Sequence, residues 1–183
     1  LPDGRLLAVS ERGAQAVLLA PDGDGFQVQS VVSITGIPAG LDVEAVASLP
    51  DDRVAFGTEG IGPRAADRVL LARVESSGLV VEGGFDLSGA PFGIKPGVNE
   101  GLEAICALPG LVVLVSETTG GGGRRRFAPA WLHPVGGGPG NTARLMLSSK
   151  TGKIAGLSCA DLGERRVSVT AVERHFGTIH LVR

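Results

Sequence analysis

The stretch Leu111-Val-Val-Leu-Val-Ser-Glu117 is a short apolar strand that ends in a glutamate, and three further copies of it occur in the chain. These are Arg5-Leu-Leu-Ala-Val-Ser-Glu11, Arg53-Val-Ala-Phe-Gly-Thr-Glu59 and Arg166-Val-Ser-Val-Thr-Ala-Val-Glu173. The glutamate follows the first residue by six positions in three copies and by seven in the last, as one bulged residue would produce. Because the glutamates recur every 48 to 58 residues, the pattern predicts a repeat fold.

Similar segments surround this strand in each copy. A segment that begins Glu-Ala and ends Leu-Pro precedes it at Glu44–Pro50 and Glu103–Pro109, and Ala155–Ala160 is a degenerate version. A third apolar run follows each glutamate after a polar loop, and in three copies a fourth run follows a glycine-bearing turn. Each unit is therefore predicted to be a meander of four short strands joined by tight turns.

Four-stranded meanders at this spacing are typical of the blades of a β-propeller. The 29 glycines and 11 prolines lie between short apolar runs, and no segment has helical periodicity. A β-sandwich would contain similar strands, but it would not explain the repeated Leu-Pro turn and terminal glutamate. The sequence thus predicts an all-β, propeller-like domain over residues 1–183, with about four blades in repeats of about 1–40, 41–98, 99–150 and 151–183.

The two ends of the chain lack strands of different units. The chain begins at the turn before strand two of the first unit and stops within strand three of the last. This predicts three, four, four and three strands, which does not close a propeller in the usual way. Because exposed sheet edges invite aggregation, we expect this chain to be part of a longer propeller or to receive the missing strands from a second chain.

Charge and hydrophobicity limit the partners of the protein. The formal net charge of −2 offers no electrostatic basis for binding nucleic acid. No apolar run approaches the roughly 20 residues that span a bilayer, so we expect no membrane partner. The N-terminus shows no charged segment followed by an apolar one, which indicates that a signal peptide is absent or already removed.

The two cysteines, Cys106 and Cys159, occupy nearly equivalent places in successive repeats. Equivalent places would put them on neighbouring units and not face to face. The favoured interpretation is therefore two small buried thiols, with a disulfide or a metal pair as the alternatives. The cysteines alone do not indicate the redox compartment.

Several motifs resemble those of a known family. Asn99-Glu-Gly-Leu-Glu-Ala104, followed by Leu108-Pro-Gly110 and the strand that ends at Glu117, resembles the signature of the bacterial phytase-like (esterase-like activity of phytase) β-propeller family. Leu41-Asp-Val-Glu-Ala45 and Val172-Glu-Arg174 are similar to two further elements of that family. The resemblance runs along most of the chain, but its motifs are short.

The chain also departs from the pattern of the family. Ala45 and Ala104 stand where glycine is usual, and Ala155 replaces the first glutamate of the fourth unit. The resemblance implies a propeller that is usually exported, so an extracellular or periplasmic location is expected. It also implies hydrolysis of phosphoesters.

The glutamates are the candidate site residues. Glu11, Glu59, Glu117 and Glu173 end one set of strands and Glu44 and Glu103 begin another, so both sets are predicted to lie on one face. Clustered carboxylates are costly unless a hard cation neutralises them, and Ca²⁺ accepts six to eight oxygen ligands. Because the strand-one glutamate occurs only in the second and third units, the predicted Ca²⁺ site is centred on Glu44, Glu59, Glu103 and Glu117.

In this hypothesis Glu59 and Glu117 are the catalytic residues of a metal-assisted hydrolysis, with the ion as Lewis acid and source of a nucleophilic water. The alternative is structural: the glutamates accept hydrogen bonds from nearby backbone or pair with arginines such as Arg12 and Arg174. Both interpretations predict a carboxylate at the end of strand two, so the sequence leaves them open.

Arginines and histidines offer weaker signals. Arg124, Arg125 and Arg126 follow four glycines and are candidates to bind a substrate phosphate, the alternative being a solvated loop. The histidines are too scattered for a zinc signature. His175 lies two residues beyond Glu173 and is therefore a candidate to join the acidic residues. Trp131 is expected in the core.

Two functions therefore remain open on sequence grounds. The first is a phytase-like propeller that hydrolyses a small phosphorylated substrate with bound calcium. The second is a non-catalytic propeller whose loops bind a protein or a small ligand. Fold alone does not separate them.

Overall fold

The computed structural model describes residues 1, 3–11, 13–60, 67–94, 101–122, 126–164, 166–175 and 177–182. Over these residues the protein is all-β, as predicted, with fourteen strands and one 3-10 turn at Ala90–Phe92. Nowhere in the described part of the chain is a helix long and apolar enough to cross a membrane. The strands are β1 Leu6–Val9, β2 Gln15–Asp22, β3 Gly25–Thr35, β4 Leu41–Leu49, β5 Arg53–Gly60, β6 Arg68–Glu75, β7 Gly78–Asp86, β8 Leu102–Leu108, β9 Leu111–Ser116, β10 Phe127–Pro134, β11 Asn141–Met146, β12 Lys153–Asp161, β13 Val167–His175 and β14 Thr178–Val182.

Consecutive strands pair antiparallel in four groups, which we call meanders I to IV. Meander I is β1 to β3, meander II is β4 to β7, meander III is β8 to β11 and meander IV is β12 to β14. By antiparallel pairing, the described strands form groups of three, four, four and three, as the repeat predicted. Tight turns of the Pro-Asp and Pro-Gly type join the first two strands of meanders II and III.

Meanders I and II also share one sheet, which the sequence analysis did not anticipate. Strand β3 runs parallel to β7, with Ser33 opposite Gly78 and Thr35 opposite Val80. The result is a seven-stranded sheet in the order β1-β2-β3-β7-β6-β5-β4, beside a four-stranded sheet and a three-stranded sheet. Gly78 permits this contact, because its φ is +149° and a Cβ there would lie 2.5 Å from the carbonyl oxygen of Ser33.

Apolar side chains fill the spaces between successive meanders. Along β5, Val54 and Phe56 pack toward meander I, whereas Ala55 between them packs toward meander III, and all three are fully buried. A third cluster, which includes Val115 and Ile154, lies between meanders III and IV. Burying a side chain such as Phe56 contributes about 1.5–3 kcal/mol. Because both faces of β5 are covered, its sequence is continuously apolar and does not alternate.

A β-bulge recurs at the same place in three meanders. The extra residue lies in the first strand and is Glu44 in β4, Glu103 in β8 and Ala155 in β12. In each case the residues on its two sides pair with consecutive residues of the second strand. A bulge leaves its residue unpaired and bends the strand, so it redirects the side chains around it. The shared bulge gives a common reference from which equivalent positions of the meanders can be counted.

The predicted bulge in the fourth copy of strand two was wrong. Strand β13 pairs with β12 without a shift from Val167 to Val172, because the extra residue is Ala155 on the facing strand. Counted from the bulge, Glu173 faces Ile154 as Thr58 faces Val43. Glu173 is therefore one position away from the place of Glu59 and Glu117, and Arg174 occupies that place.

The favoured interpretation of the cysteines as free thiols was also wrong, since Cys106 and Cys159 form a disulfide with their Cα atoms 5.7 Å apart. Cys106 is two residues beyond Ala104, the first paired residue after the bulge, whereas Cys159 is three beyond Gly156. Side chains alternate between the two faces of a strand, so a difference of one residue turns the two thiols toward each other. The disulfide joins meanders III and IV.

Replacing Gly78 by alanine tests the parallel contact. We expect Gly78→Ala to lower the free energy of unfolding by about 1–3 kcal/mol, because the added Cβ meets the Ser33 carbonyl and the positive φ disfavours an L side chain. Urea unfolding at constant pH measures the change. Gly83→Ala in the same strand is the matched control, since a Cβ there meets nothing within 4 Å. Equal effects of the two substitutions would contradict the assignment.

Candidate functional site

Three carboxylates of meander II converge where β4 begins and β5 ends. Asp42 lies directly opposite Glu59 in the ladder, and Glu44 is the bulged residue two positions after Asp42. One carboxylate oxygen from each of these residues lies within 4.8 Å of the other two. Glu59 is buried, whereas Asp42 and Glu44 are half-buried. We call these three residues the acidic trio.

Burial and mutual repulsion raise the pKa values of Glu44 and Glu59. The pKa of Glu44 is raised to about 7, first by burial and then by the charges of Glu59, Glu103, Glu11 and Asp42. Burial also raises the pKa of Glu59, against the effect of a backbone hydrogen bond from Gly101. The pKa of Asp67 rises to about 7, first through burial and then through the charge of Glu59. Electrostatic strain of this kind is relieved by a proton or by a cation.

The donor set of the acidic trio fits a hard divalent cation. All of its atoms are carboxylate oxygens, which are the ligands that Ca²⁺ prefers, and no sulfur or imidazole is among them. Gly101 packs against Glu59 and Asp67 so closely that a side chain there would collide with both. The close approach of Gly101 keeps meander III tight against Glu59.

Glu44 and Glu59 were predicted from the sequence as site residues, whereas Asp42 was not. Asp67, which follows a segment outside the described residues, was not predicted either. A signal for Asp42 was present in Leu41-Asp-Val-Glu-Ala45, because acidic residues two apart lie on the same side of a strand. The pattern was used there only as part of a family resemblance.

Glu103 and Glu117 lie beside the trio and not within it. Burial raises the pKa of Glu103, and the charge of Glu117 adds to this effect, whereas Arg174 opposes it. The Oε1 atom of Glu117 accepts a hydrogen bond from Lys153 Nζ at 2.8 Å, which forms an ion pair between meanders III and IV. Their assignment as calcium ligands remains a prediction, as does the catalytic role of Glu59 and Glu117.

Glu173 has a structural role. Its carboxylate is fully buried and accepts hydrogen bonds from the backbone and hydroxyl groups of Ser148 and Ser149, at 2.7–3.1 Å. Burial acts to raise the pKa of Glu173, but these four hydrogen bonds outweigh it and leave the pKa below its ordinary value. For this residue the structural alternative of the sequence analysis is confirmed. Glu173 clamps the segment between β11 and β12 onto β13.

The charge at the equivalent edge position changes sign along the chain. Counted from the shared bulge, the pair Asp42 and Glu59 of meander II corresponds to the pair Lys153 and Arg174 of meander IV. In meander III the corresponding positions hold Gly101 and Glu117. The backbone amide of Glu117 donates a hydrogen bond to the carbonyl of Gly101 at 2.9 Å. One backbone arrangement therefore presents two acids, then one acid, then two bases.

A cleft of about 670 Å³ opens beside the basic pair. It lies between meanders III and IV, and His175 from the end of β13 is part of its wall. The residues that line it are Glu117, Thr151, Lys153, Arg174, His175 and Gly177. Because Glu117 also acts on the pKa of Glu59, the cleft and the acidic trio lie within electrostatic range of each other.

The other residues singled out in the sequence have the following places. Arg126 donates to Thr119 Oγ1 at 2.6 Å and to the carbonyl of Lys150. Its role as a phosphate ligand remains a prediction, while Arg12, Arg124 and Arg125 lie outside the described residues. Trp131 is buried, as expected, and its Nε1 donates to the Ser88 carbonyl at 3.2 Å.

Comparisons with known proteins add no family assignment. No protein-family model matches the chain. No curated protein shows significant sequence similarity to it.

The raised pKa of Glu44 predicts a particular pH dependence without divalent cations. A folded-state pKa of about 7 against an ordinary 4.5 means that the unfolded chain releases this proton first, so stability falls as pH rises from about 5 to 8. In EDTA the melting temperature should fall between about pH 5 and pH 8. We expect this fall to be about 2–4 °C smaller in Glu44→Gln than in the unaltered protein, the equivalent of roughly 1 kcal/mol. Asp24→Asn, which removes an exposed carboxylate, is the control. An unchanged pH slope in Glu44→Gln would be inconsistent with this account.

The buried carboxylate of Glu173 predicts the opposite dependence. We expect Glu173→Gln to lower the free energy of unfolding by about 2–3 kcal/mol at pH 7, because an amide cannot accept from all four donors. Since the folded pKa is lowered, this contribution exists above the ordinary pKa and disappears as pH falls through the folded value. Urea unfolding at pH 7 and at pH 3 measures it, with the exposed Glu164→Gln as control. A loss that is the same at both pH values would refute the charged state of Glu173.

Proposed function

We propose that the chain is a phytase-like β-propeller domain that hydrolyses a phosphoester of a small substrate with the help of bound calcium. The meanders would be its blades, complete in meanders II and III and partial in I and IV. The contacts of β4 with β8 and of β8 with β12 support this arrangement, because first strands of successive blades are neighbours around a propeller axis. The hydrophobic clusters between successive meanders support it as well.

The observation that carries the catalytic proposal is the acidic trio. Three carboxylates whose oxygens lie within 4.8 Å, two of them on residues with raised pKa values, favour a hard cation at this place. In the proposal Asp42, Glu44 and Glu59 hold calcium, and Glu103 and Glu117 add negative charge nearby. When bound, calcium supplies Lewis-acid polarisation of a phosphate oxygen and neutralises its charge.

Glu117 is the proposed proton acceptor. Its ion pair with Lys153 uses Oε1 and fixes the carboxylate at the wall of the cleft. In the reaction, Oε2 would take a proton from the water whose oxygen bonds to phosphorus, while the bond between phosphorus and the ester oxygen breaks. The leaving alkoxide takes a proton from solvent, to which Glu117 returns the proton it accepted.

An extracellular or periplasmic location is part of this proposal. The disulfide between Cys106 and Cys159 supports it, since disulfides persist mainly in oxidising compartments. The resemblance to an exported family points the same way.

A second candidate function is a non-catalytic propeller that binds another protein. Strand β14 lies at the end of its sheet and exposes Ile179 and Leu181 by 73% and 76%. Exposed apolar side chains on a sheet edge are typical of strands that accept a partner strand. In this case the acidic trio would serve only to stabilise the fold.

Calcium binding and turnover separate the two functions. At saturating Ca²⁺ we expect the melting temperature to rise by about 5 °C or more, as binding at 100 times the dissociation constant adds about 2.7 kcal/mol. We also expect hydrolysis of p-nitrophenyl phosphate that requires calcium. Asp42→Asn and Glu59→Gln should each weaken calcium binding at least tenfold and lower kcat/KM at least tenfold. Asp24→Asn should change neither quantity.

The outcomes distinguish the proposals. A calcium-dependent rise in melting temperature without turnover would favour the binding module with a structural ion. No calcium effect on either measurement would reject the metal site. Turnover that survives in EDTA would reject the role assigned to calcium.

A further inference from the structure

The cleft between meanders III and IV contains a basic pair, Lys153 and Arg174, that lies outside the acidic trio. Lys153 at the start of β12 and Arg174 near the end of β13 are direct partners in the ladder, so their side chains leave the sheet on the same side. Both line the cleft of about 670 Å³, together with the hydroxyl-bearing Thr151.

The two bases differ in how they are paired. Lys153 is held by Glu117, whereas the Arg174 side chain is exposed and makes no hydrogen bond or ion pair within the described part of the chain. Its charge lowers the pKa of Glu103. The pair and Glu117 together leave one net positive charge at the cleft, and the planar guanidinium has free donors to match an anion.

The equivalence of the meanders argues that this pair is not required by the fold. The same two positions hold Asp42 and Glu59 in meander II and Gly101 and Glu117 in meander III, around the same bulge. A backbone that accepts acids, glycine or bases at one place does not select for positive charge there. A role outside the backbone explains the bases better.

We propose that this cleft is an anion site that takes the phosphate group of the substrate, with Arg174 donating two hydrogen bonds and Lys153 and Thr151 completing the contacts. The proposal rests on the proposed function for the identity of that phosphate, and it assigns phosphate binding to Lys153 and Arg174 and not to Arg124, Arg125 and Arg126. The remaining volume of the cleft accommodates the organic part of a phosphomonoester.

Binding without metal tests the anion site separately from hydrolysis. The intact protein in EDTA is titrated by NMR with inorganic phosphate, with phenyl phosphate and with benzoate. We expect saturable shifts of the Thr151 and Gly177 amides with both phosphates and at least tenfold weaker binding of benzoate. Tighter binding of phenyl phosphate than of inorganic phosphate identifies an ester as the ligand, and the reverse order identifies free phosphate.

Variants identify the residues. Arg174→Gln, which alters an exposed side chain, should weaken phosphate binding at least tenfold, and Lys153→Met should weaken it by a similar factor. Arg166→Gln removes an exposed arginine from the same meander and is the matched control. Asp24→Asn, which removes an exposed carboxylate outside both sites, should leave phosphate binding in EDTA unchanged. Melting temperatures of all variants verify folding, and Arg174→Gln carries the test if Lys153→Met is unstable.

Each outcome bears on one proposal. Absence of saturable phosphate binding, or equal losses in Arg174→Gln and Arg166→Gln, would overturn the anion site. Saturable phosphate binding that depends on Arg174, without any effect of calcium on stability or turnover, would keep the anion site and reject the metal-dependent hydrolase. Calcium-dependent turnover with unchanged KM in Arg174→Gln would place the phosphate elsewhere.

Discussion

Burial of both faces of the central sheets is the constraint on which the rest of the structure depends. The second strand of meander II has neighbouring meanders on both sides, and Val54, Ala55 and Phe56 are all fully buried there. An unpaired charge in the middle of such a strand would be costly, so charge is confined to the strand ends. Residues at the end of the second strand, beside the bulge of the first, therefore become the place where chemistry is possible. The sign of the charge there is free to vary, and it changes from meander II to meander IV.

The bulge links the packing of the sheets to the position of these charges. Opposite Glu44, Glu103 and Ala155 the ladder shifts by one residue, which separates a regular, apolar part of each strand pair from a short polar end. Because the shift is the same in three meanders, the polar ends lie in corresponding places. Acidic and basic groups that are far apart in sequence, such as Glu59 and Arg174, thereby act on a common neighbour in Glu103. The site is a consequence of repetition with altered side chains.

Much of the fold could be predicted from the sequence, because strand and turn signals are local. The structure contains β-strands where the sequence predicted the strands that end in glutamate. The Leu-Pro and Pro-Gly turns lie between strands, and the number of strands in each unit is as predicted. Contacts between units were not predictable in the same way. The parallel pairing at Gly78 depends on a close backbone approach. The cysteine pair and Glu173 depend on register, and a one-residue difference reverses the face of a strand. Counting from the first residue of each copy could not detect that difference, since the bulge lies in the facing strand.

The disulfide between β8 and β12 has a further consequence for the cleft. It connects the first strands of meanders III and IV, which also carry the ion pair of Glu117 and Lys153, and it closes a loop across a sequence separation of 53 residues. Closing a loop of this length removes much of the freedom of the unfolded chain, by about 4 kcal/mol. In the folded protein the same covalent bond holds meander IV against meander III. A ligand that enters the cleft thus meets walls at a preset spacing, and little of its binding energy is spent on bringing them together.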